Sequence, residues 1–374
     1  MDMHELGAIA TLVGCIVGAG MFAIPYAVAQ AGFLTGLLII LVIGLCALTV
    51  NLYVGEVFLR TEGNHALTTL ASRYLGKKGK GIMKTAMILG IYGGLIAYII
   101  GEGAAISSMT GINPLIGSIV FSIMMAGILF FDIGFLERVE LLLVSFIGLL
   151  VLGVFFFSFG NINTTHLSLF QADQLLVPFG VVLFAYSGVL AIGEMKEELG
   201  ENKQKMKRAI VIGSIIPIIL YVLFSLLVVG VTGSHTTEIA TIGLGEVVGT
   251  HLLVIGNLFV IIAMATSFLT TAYALKEMYM EDHDMQNTKA WGLVMIVPLV
   301  IAFSGITSFI SALDISGALA TGAIYLLVIF MHKKAKEMGD NTPQFSVPYH
   351  PLLMGVFMLI FVSGIIYQVI HMLL

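Results

Sequence analysis

The sequence predicts an all-α polytopic membrane protein with 11 transmembrane helices in a single domain over residues 1–374. Three observations predict it. Apolar runs near 20 residues or longer recur along the chain, the length a helix needs to cross the hydrocarbon core. Only 10% of the residues are charged and 59% are hydrophobic, whereas soluble domains carry roughly 25% charged residues. The basic residues also fall on alternate connections between the runs. The ten-residue alternation of a transmembrane barrel is absent.

Apolar runs bounded by polar clusters place the spans at about 6–31, 34–59, 82–109, 114–131, 138–160, 174–197, 208–233, 248–277, 290–306, 308–331 and 350–373. All 17 Lys and Arg then share one side. Arg60, Arg73, Lys77, Lys78, Lys80 and Lys84 flank the second connection, and Arg138 begins span 5. Lys196, Lys203, Lys205, Lys207 and Arg208 follow span 6, Lys276 and Lys289 lie between spans 8 and 9, and Lys333, Lys334 and Lys336 follow span 10. By the positive-inside rule that side is cytoplasmic. The expectation is a multi-pass protein of the cell membrane with its N-terminus inside and its C-terminus outside. The opening "MDMHE" lacks a basic n-region, so no cleavable signal peptide is expected. The connection "RTEGNHALTTLASRYLGKKGKG" carries a helical apolar rhythm (Leu67, Leu70, Ala71, Tyr74) that predicts an interfacial helix.

Inside span 1, "VGAGMFAIPYA" sets Gly18 and Gly20 ahead of Pro25. A spanning helix must satisfy its own backbone, so an interruption there is costly in lipid. Span 6 repeats the pattern as "FAYSGVLAIGE". Aligning Gly20 with Gly188, an offset of 168 residues, pairs Ala23 with Ala191 and Ile24 with Ile192, and carries spans 2 to 5 onto spans 7 to 10. Five is odd, so the second copy crosses in the opposite direction. The pattern predicts a 5+5 inverted repeat, 6–160 and 174–331, with span 350–373 added and spans 1 and 6 discontinuous. Glycines also serve close helix packing, a role that suits Gly14 with Gly18, Gly32 with Gly36, and Gly90 with Gly94. Packing alone does not explain breaks at equivalent places, whereas interrupted segments at matching places mark transporter binding sites.

An interrupted helix offers amides at the start of its second half and carbonyls at the end of its first. Half-helices beginning near Met21 and Val189 would point positive ends at an anion. The ends of the first halves would offer carbonyls to an ammonium group or cation. A zwitterion carries both charges close together, so an α-amino acid fits without a basic side chain. Gly18, Ala19, Gly20, Ser187 and Gly188 are expected to let it approach the backbone. Phe22, Tyr98, Phe184 and Tyr186 are the candidates for lining its side-chain pocket.

These motifs, with "LASRYLGKKGK" after span 2 and "FAYSG…AIGEMKEEL" in span 6, resemble the amino acid/polyamine/organocation superfamily. The amino acid/auxin and aromatic amino acid permeases are most similar. The resemblance spans the chain, with Gly193 standing where relatives often carry proline. It implies a LeuT-type fold and cation-coupled symport of neutral or aromatic amino acids by alternating access, in which spans 1, 2, 6 and 7 rock against 3, 4, 8 and 9. It also implies a Na⁺ site from the Gly14 and Val17 carbonyls, the Ala263 carbonyl, and the Thr266 and Ser267 hydroxyls in "AMATSFLTTAY". Some sodium-independent relatives place a span 5 lysine at that position, and span 5 here contains none. The rival coupling ion is H⁺. Glu102 and Asp314 are the deepest intramembrane acids, hence candidate proton or gating carboxylates. Glu102 lies four residues beyond Tyr98, on the same helix face. Glu56 and Glu194 lie near the cytoplasmic boundary and are expected to pair with the basic loops, and no histidine is mid-span.

Other classes fit less well. An enzyme is not expected, since no Asp-rich or His/Glu zinc motif occurs; "MYMEDHDM" is the one dense acidic cluster and reads as a solvated connection. No cofactor is expected, and no basic, aromatic-interleaved face offers itself to nucleic acid. Cys15 and Cys46 lie within apolar runs and suggest no disulfide. The expected partners are the amino acid and the lipid bilayer, with oligomeric state open. A non-transporting amino acid sensor would share the same pocket.

Overall fold

The computed structural model describes residues 3–131, 153, 156, 159–283 and 285–373. Most of the expected fifth span, with Arg138, lies outside them. Among the described residues every regular element is a helix. We label the α-helices α1 (Met3–Ile16), α2 (Gly20–Ala31), α3 (Phe33–Arg60), α4 (Leu67–Thr110), α5 (Pro114–Phe131), α6 (Phe179–Ala185), α7 (Ala191–Leu199), α8 (Met206–Thr232), α9 (Ala240–Val248), α10 (Thr250–His283), α11 (Asn287–Ser304), α12 (Phe309–Ile315), α13 (Gly322–Met338) and α14 (Pro351–Leu373). A π-helical segment, Ser316–Thr321, joins α12 to α13.

Among the described residues, 8 helices are long and apolar enough to cross a membrane, or up to 9 when α1 and α2, bent by 51°, count as one span. Span 6 is divided into two helices, α6 and α7, each too short to cross alone. The expected interfacial helix forms the start of α4. It turns into the long span at Gly76, whose φ of 72° and ψ of −171° only glycine adopts readily.

Two sets of helices pack internally. In one, α1 lies on α7 and α8, α2 on α6 and α8, and α3 on α6, α7 and α8. In the other, α4 lies on α5, α10 and α11, with α10 also against α5 and α11. The α12–α13 element touches both, through α6 and α3 on one side and α4 on the other. Outward faces are apolar: Ile123, Ile255, Val300 and Leu359 are all more than half exposed. Apolar surface on that scale suits lipid rather than water.

Several buried polar side chains are paired across helices. Asn51 of α3 donates to the Ser214 hydroxyl of α8 at 3.3 Å. Asn257 of α10 accepts from Thr241 of α9 at 2.6 Å and donates to Ser108 of α4 at 2.8 Å. At the basic face, the fully buried Glu56 accepts from Arg60 (2.8 Å), His332 (2.9 Å), Ser346 (2.9 Å) and the Val347 amide (2.6 Å). Lys336 adds an ion pair at 3.1 Å. The expected pairing of Glu56 with basic neighbours is therefore present, and it ties α3 to α13 and to the segment before α14. In that segment the Glu62 amide and the Arg73 guanidinium hold the Asp340 carboxyl below the usual carboxylate range.

Candidate functional site

The two interruptions face each other. Beyond Ile16 the chain leaves α1 with Gly18 N–H bonded to Ile16 O at 3.0 Å rather than to Gly14 O. The Met21 and Phe22 amides then turn back to Gly18 O (3.2 Å) and Ala19 O (3.0 Å). Gly14 O and Val17 O thereby lose the donors a continuous helix would give them. The amides of Ala19 and Gly20 stand at the head of α2 without a backbone acceptor among the described residues.

Glycine is required where the breaks meet. A Cβ on Gly20 would stand 2.7 Å from the Ala185 Cβ and 2.8 Å from its Cα. A Cβ on Gly188 would meet Ile16 Cγ1 at 2.7 Å. Each break therefore packs on the end of the other's first half-helix. Gly18 faces α10: its Cβ position lies 3.1 Å from the Ser267 hydroxyl. Tyr98 of α4 is buried beside Ser267, and the half-buried Phe184 ring lies next to Gly94 and Tyr98.

The expected residues thus fall into two groups. Gly18, Gly20, Gly188, Tyr98, Phe184 and Ser267 are brought around the breaks, with Ala19 between Gly18 and Gly20. Thr266 donates to Ala263 O at 3.0 Å, so these two oxygens lie together one turn along α10. Phe22 and Tyr186 make other contacts. Phe22 sits edge-on to Phe224 and Phe259, with ring centroids 6.1 and 5.9 Å apart. Tyr186 packs on Tyr221 at 5.0 Å and beside Gly44 of α3.

The two acids differ. Asp314 lies against Gly180 at the start of α6, where an added Cβ would overlap its carboxyl, a place whose positive helix end suits a carboxylate. Glu102 is fully buried, and neither carboxyl oxygen has a partner among the described residues.

Sequence reasoning did not single out the side chains that cap the carbonyls of the breaks. Tyr221 of α8 donates toward Ile16 O at 2.7 Å and Ala185 O at 2.9 Å. Tyr325 of α13 donates to Tyr186 O at 2.9 Å, and the Cys15 thiol faces Ser187 O at 3.8 Å. One signal was present: the 168-residue offset sets Tyr221 opposite Tyr53. A separate cavity of about 370 Å³ lies at the basic face, lined by Thr61, Asn64, Lys196, Lys203 and Gln344, away from the breaks. There Lys196 donates to Phe58 O at 3.0 Å and Gly63 O at 2.7 Å, closing the end of α3.

The fold and these interruptions define a multi-pass helical membrane protein with two broken helices packed against each other. The chain belongs to the tryptophan/tyrosine permease family, which it matches over residues 1–371. Its class is therefore that of amino acid permeases, transporters rather than enzymes. It is 25% identical to the glutamine transporter 2 of Aliivibrio fischeri over a 383-residue alignment covering 96% of this chain and 97% of that one. It is 26% identical over 356 residues to the tyrosine-specific transport system 2 of Haemophilus influenzae, with 86% and 85% covered. To the low affinity tryptophan permease of Proteus vulgaris it is 22% identical over 366 residues, with 88% and 87% covered.

Proposed function

We propose that the protein is a secondary active transporter that carries a neutral or aromatic amino acid by cation-coupled symport. The observation that carries this reading is the backbone contact between Gly20 and Ala185 in a chain of an amino acid permease family. It sets the unpaired Ala19 and Gly20 amides beside the carbonyl end of α6, a site with one pole for a carboxylate and one for an ammonium group. The Gly18, Ser187 and Gly188 backbone completes the cradle, and Tyr98 with Phe184 forms its aromatic wall.

Na⁺ is the coupling ion in this proposal. The oxygens suit a hard cation. Gly14 O and Val17 O have lost their helical donors, and the Ala263, Thr266 and Ser267 oxygens lie on the α10 face toward Gly18. The architecture that goes with this reading is LeuT-type within the amino acid/polyamine/organocation superfamily. It has 11 spans, a 5+5 inverted repeat, a cytoplasmic N-terminus and a place in the plasma membrane. Alternating access would rock the set containing α1, α2, α3, α6, α7 and α8 against the set of α4, α5, α10 and α11, the two groups that pack internally. Proton coupling is the second reading, favoured by the unpartnered Glu102 carboxyl.

The test is a panel of the twenty amino acids in thermal-stabilisation assays of the purified protein, with and without Na⁺. Ligand that binds only the folded state raises its stability by mass action. Stabilisation by aromatic or neutral amino acids that strengthens with Na⁺ supports the proposal. Equal stabilisation in Na⁺-free buffer shifts the coupling to H⁺. Stabilisation without transport in liposomes assigns a sensor.

A further inference from the structure

The two acceptor ends that would hold a substrate ammonium group are already joined by one side chain. Ile16 is the last residue of α1 and Ala185 the last of α6. Their carbonyl oxygens lie 2.7 and 2.9 Å from the same Tyr221 hydroxyl, which is fully buried. A phenol has one proton to donate, so it can satisfy only one of the two carbonyls at a time. Ile16 O has a second donor in Gly18 N–H at 3.0 Å; Ala185 O has no other among the described residues. The Gly18 amide and the Tyr221 hydroxyl thus supply one donor to each carbonyl, and each oxygen keeps a second lone pair that a further donor can reach. An ammonium group brings three donors and a full charge.

We propose that the Tyr221 hydroxyl occupies the ammonium subsite in the substrate-free protein and yields the Ile16 and Ala185 carbonyls to the substrate's amino group. The inference rests on the reading of the breaks as the substrate site and names the residue that competes there. Tyr221 then acts as a positioning residue with two effects. It holds the broken ends of α1 and α6 together before substrate arrives. It also subtracts its own hydrogen bonds from the affinity for any amine, which speeds release after transport. The packed Tyr186 ring, 5.0 Å from Tyr221, gives the displaced phenol an aromatic face to turn along. Tyr325, which donates to the next carbonyl at Tyr186, keeps its bond throughout.

The test is equilibrium binding to purified wild-type protein and to Tyr221→Phe. The probes are the tightest-binding amino acid of the twenty, its decarboxylated analogue with an amine alone, and its deaminated analogue with a carboxylate alone. Expected is about tenfold tighter binding of the amino acid and of the amine to Tyr221→Phe, with slower turnover, and unchanged binding of the carboxylate analogue. A merely structural tyrosine would weaken all three together. Equal or weaker binding of the amine-bearing ligands overturns the inference alone. Failure of wild-type protein to bind any amino acid overturns the underlying site, and the inference with it. In wild-type protein the exchange also reads out as a shift of the tyrosine C–O infrared band. The amine analogue should cause it and the carboxylate analogue should not; no shift with the amine overturns the inference without relying on a variant that folds.

Discussion

Gly20 and Ala185 touch through their backbones: a Cβ on Gly20 would stand 2.7 Å from the Ala185 Cβ. The contact brings the head of α2 onto the tail of α6, so two helix interruptions remote in sequence share one place.

Gly20→Ala should therefore be disruptive despite its size. Neither backbone can give way as a side chain would, and overpacking of this kind costs about 1–3 kcal/mol. Uptake by cells expressing the variant should fall more than tenfold at equal surface abundance. Adding Ala185→Gly, which removes one of the two clashing carbons, should restore part of it. No rescue in the double variant would place the Gly20 effect elsewhere.

Thr266→Ala and Ser267→Ala each remove one oxygen from the proposed Na⁺ site. The dependence of initial uptake on Na⁺ concentration should move to at least tenfold higher Na⁺, with substrate binding at saturating Na⁺ nearly retained. An unshifted Na⁺ curve in both variants would remove α10 from ion binding.

Glu102→Gln separates the two coupling readings. With Na⁺ as the driver, accumulation under a Na⁺ gradient at constant pH persists in the variant. If Glu102 carries the coupled proton, accumulation fails while exchange of labelled for unlabelled substrate continues.

Glu56→Ala tests the basic-face network. It strands His332, Arg60, Lys336 and the Val347 amide around a fully buried site. Breaking a buried ion pair from one side costs about 3–5 kcal/mol. Thermal unfolding in detergent should show a large loss of stability, and an unchanged midpoint would mean that the network contributes little.

The position of each break was legible in the sequence because glycine and proline punctuate an otherwise apolar run. The division of span 6 into α6 and α7 follows from the same signal. Other features were not legible. Nothing in local composition says that Tyr221 caps two distant carbonyls, since that depends on where α8 brings its hydroxyl relative to the ends of α1 and α6. Asp314 reads as an intramembrane acid in sequence, yet it packs directly against Gly180 at the start of α6, a contact that no local pattern announces. The π-helical Ser316–Thr321 segment is equally hidden. Its Gly317 packs on the Gly180 carbonyl, an approach set by the crossing of two helices and by no periodicity. Phe22 and Tyr186 flank the breaks in sequence, but Phe22 packs among Phe224 and Phe259 and Tyr186 on Tyr221, contacts set by tertiary packing.

The most direct measurement is counterflow in liposomes containing the purified protein and loaded with unlabelled amino acid, with labelled tyrosine, tryptophan or glutamine outside in Na⁺ buffer. Transient accumulation of at least one labelled amino acid, reduced by Gly20→Ala and by removal of Na⁺, is the expected result. Absence of counterflow for every amino acid tried, with protein shown to be folded and inserted, would contradict a substrate site at the two breaks.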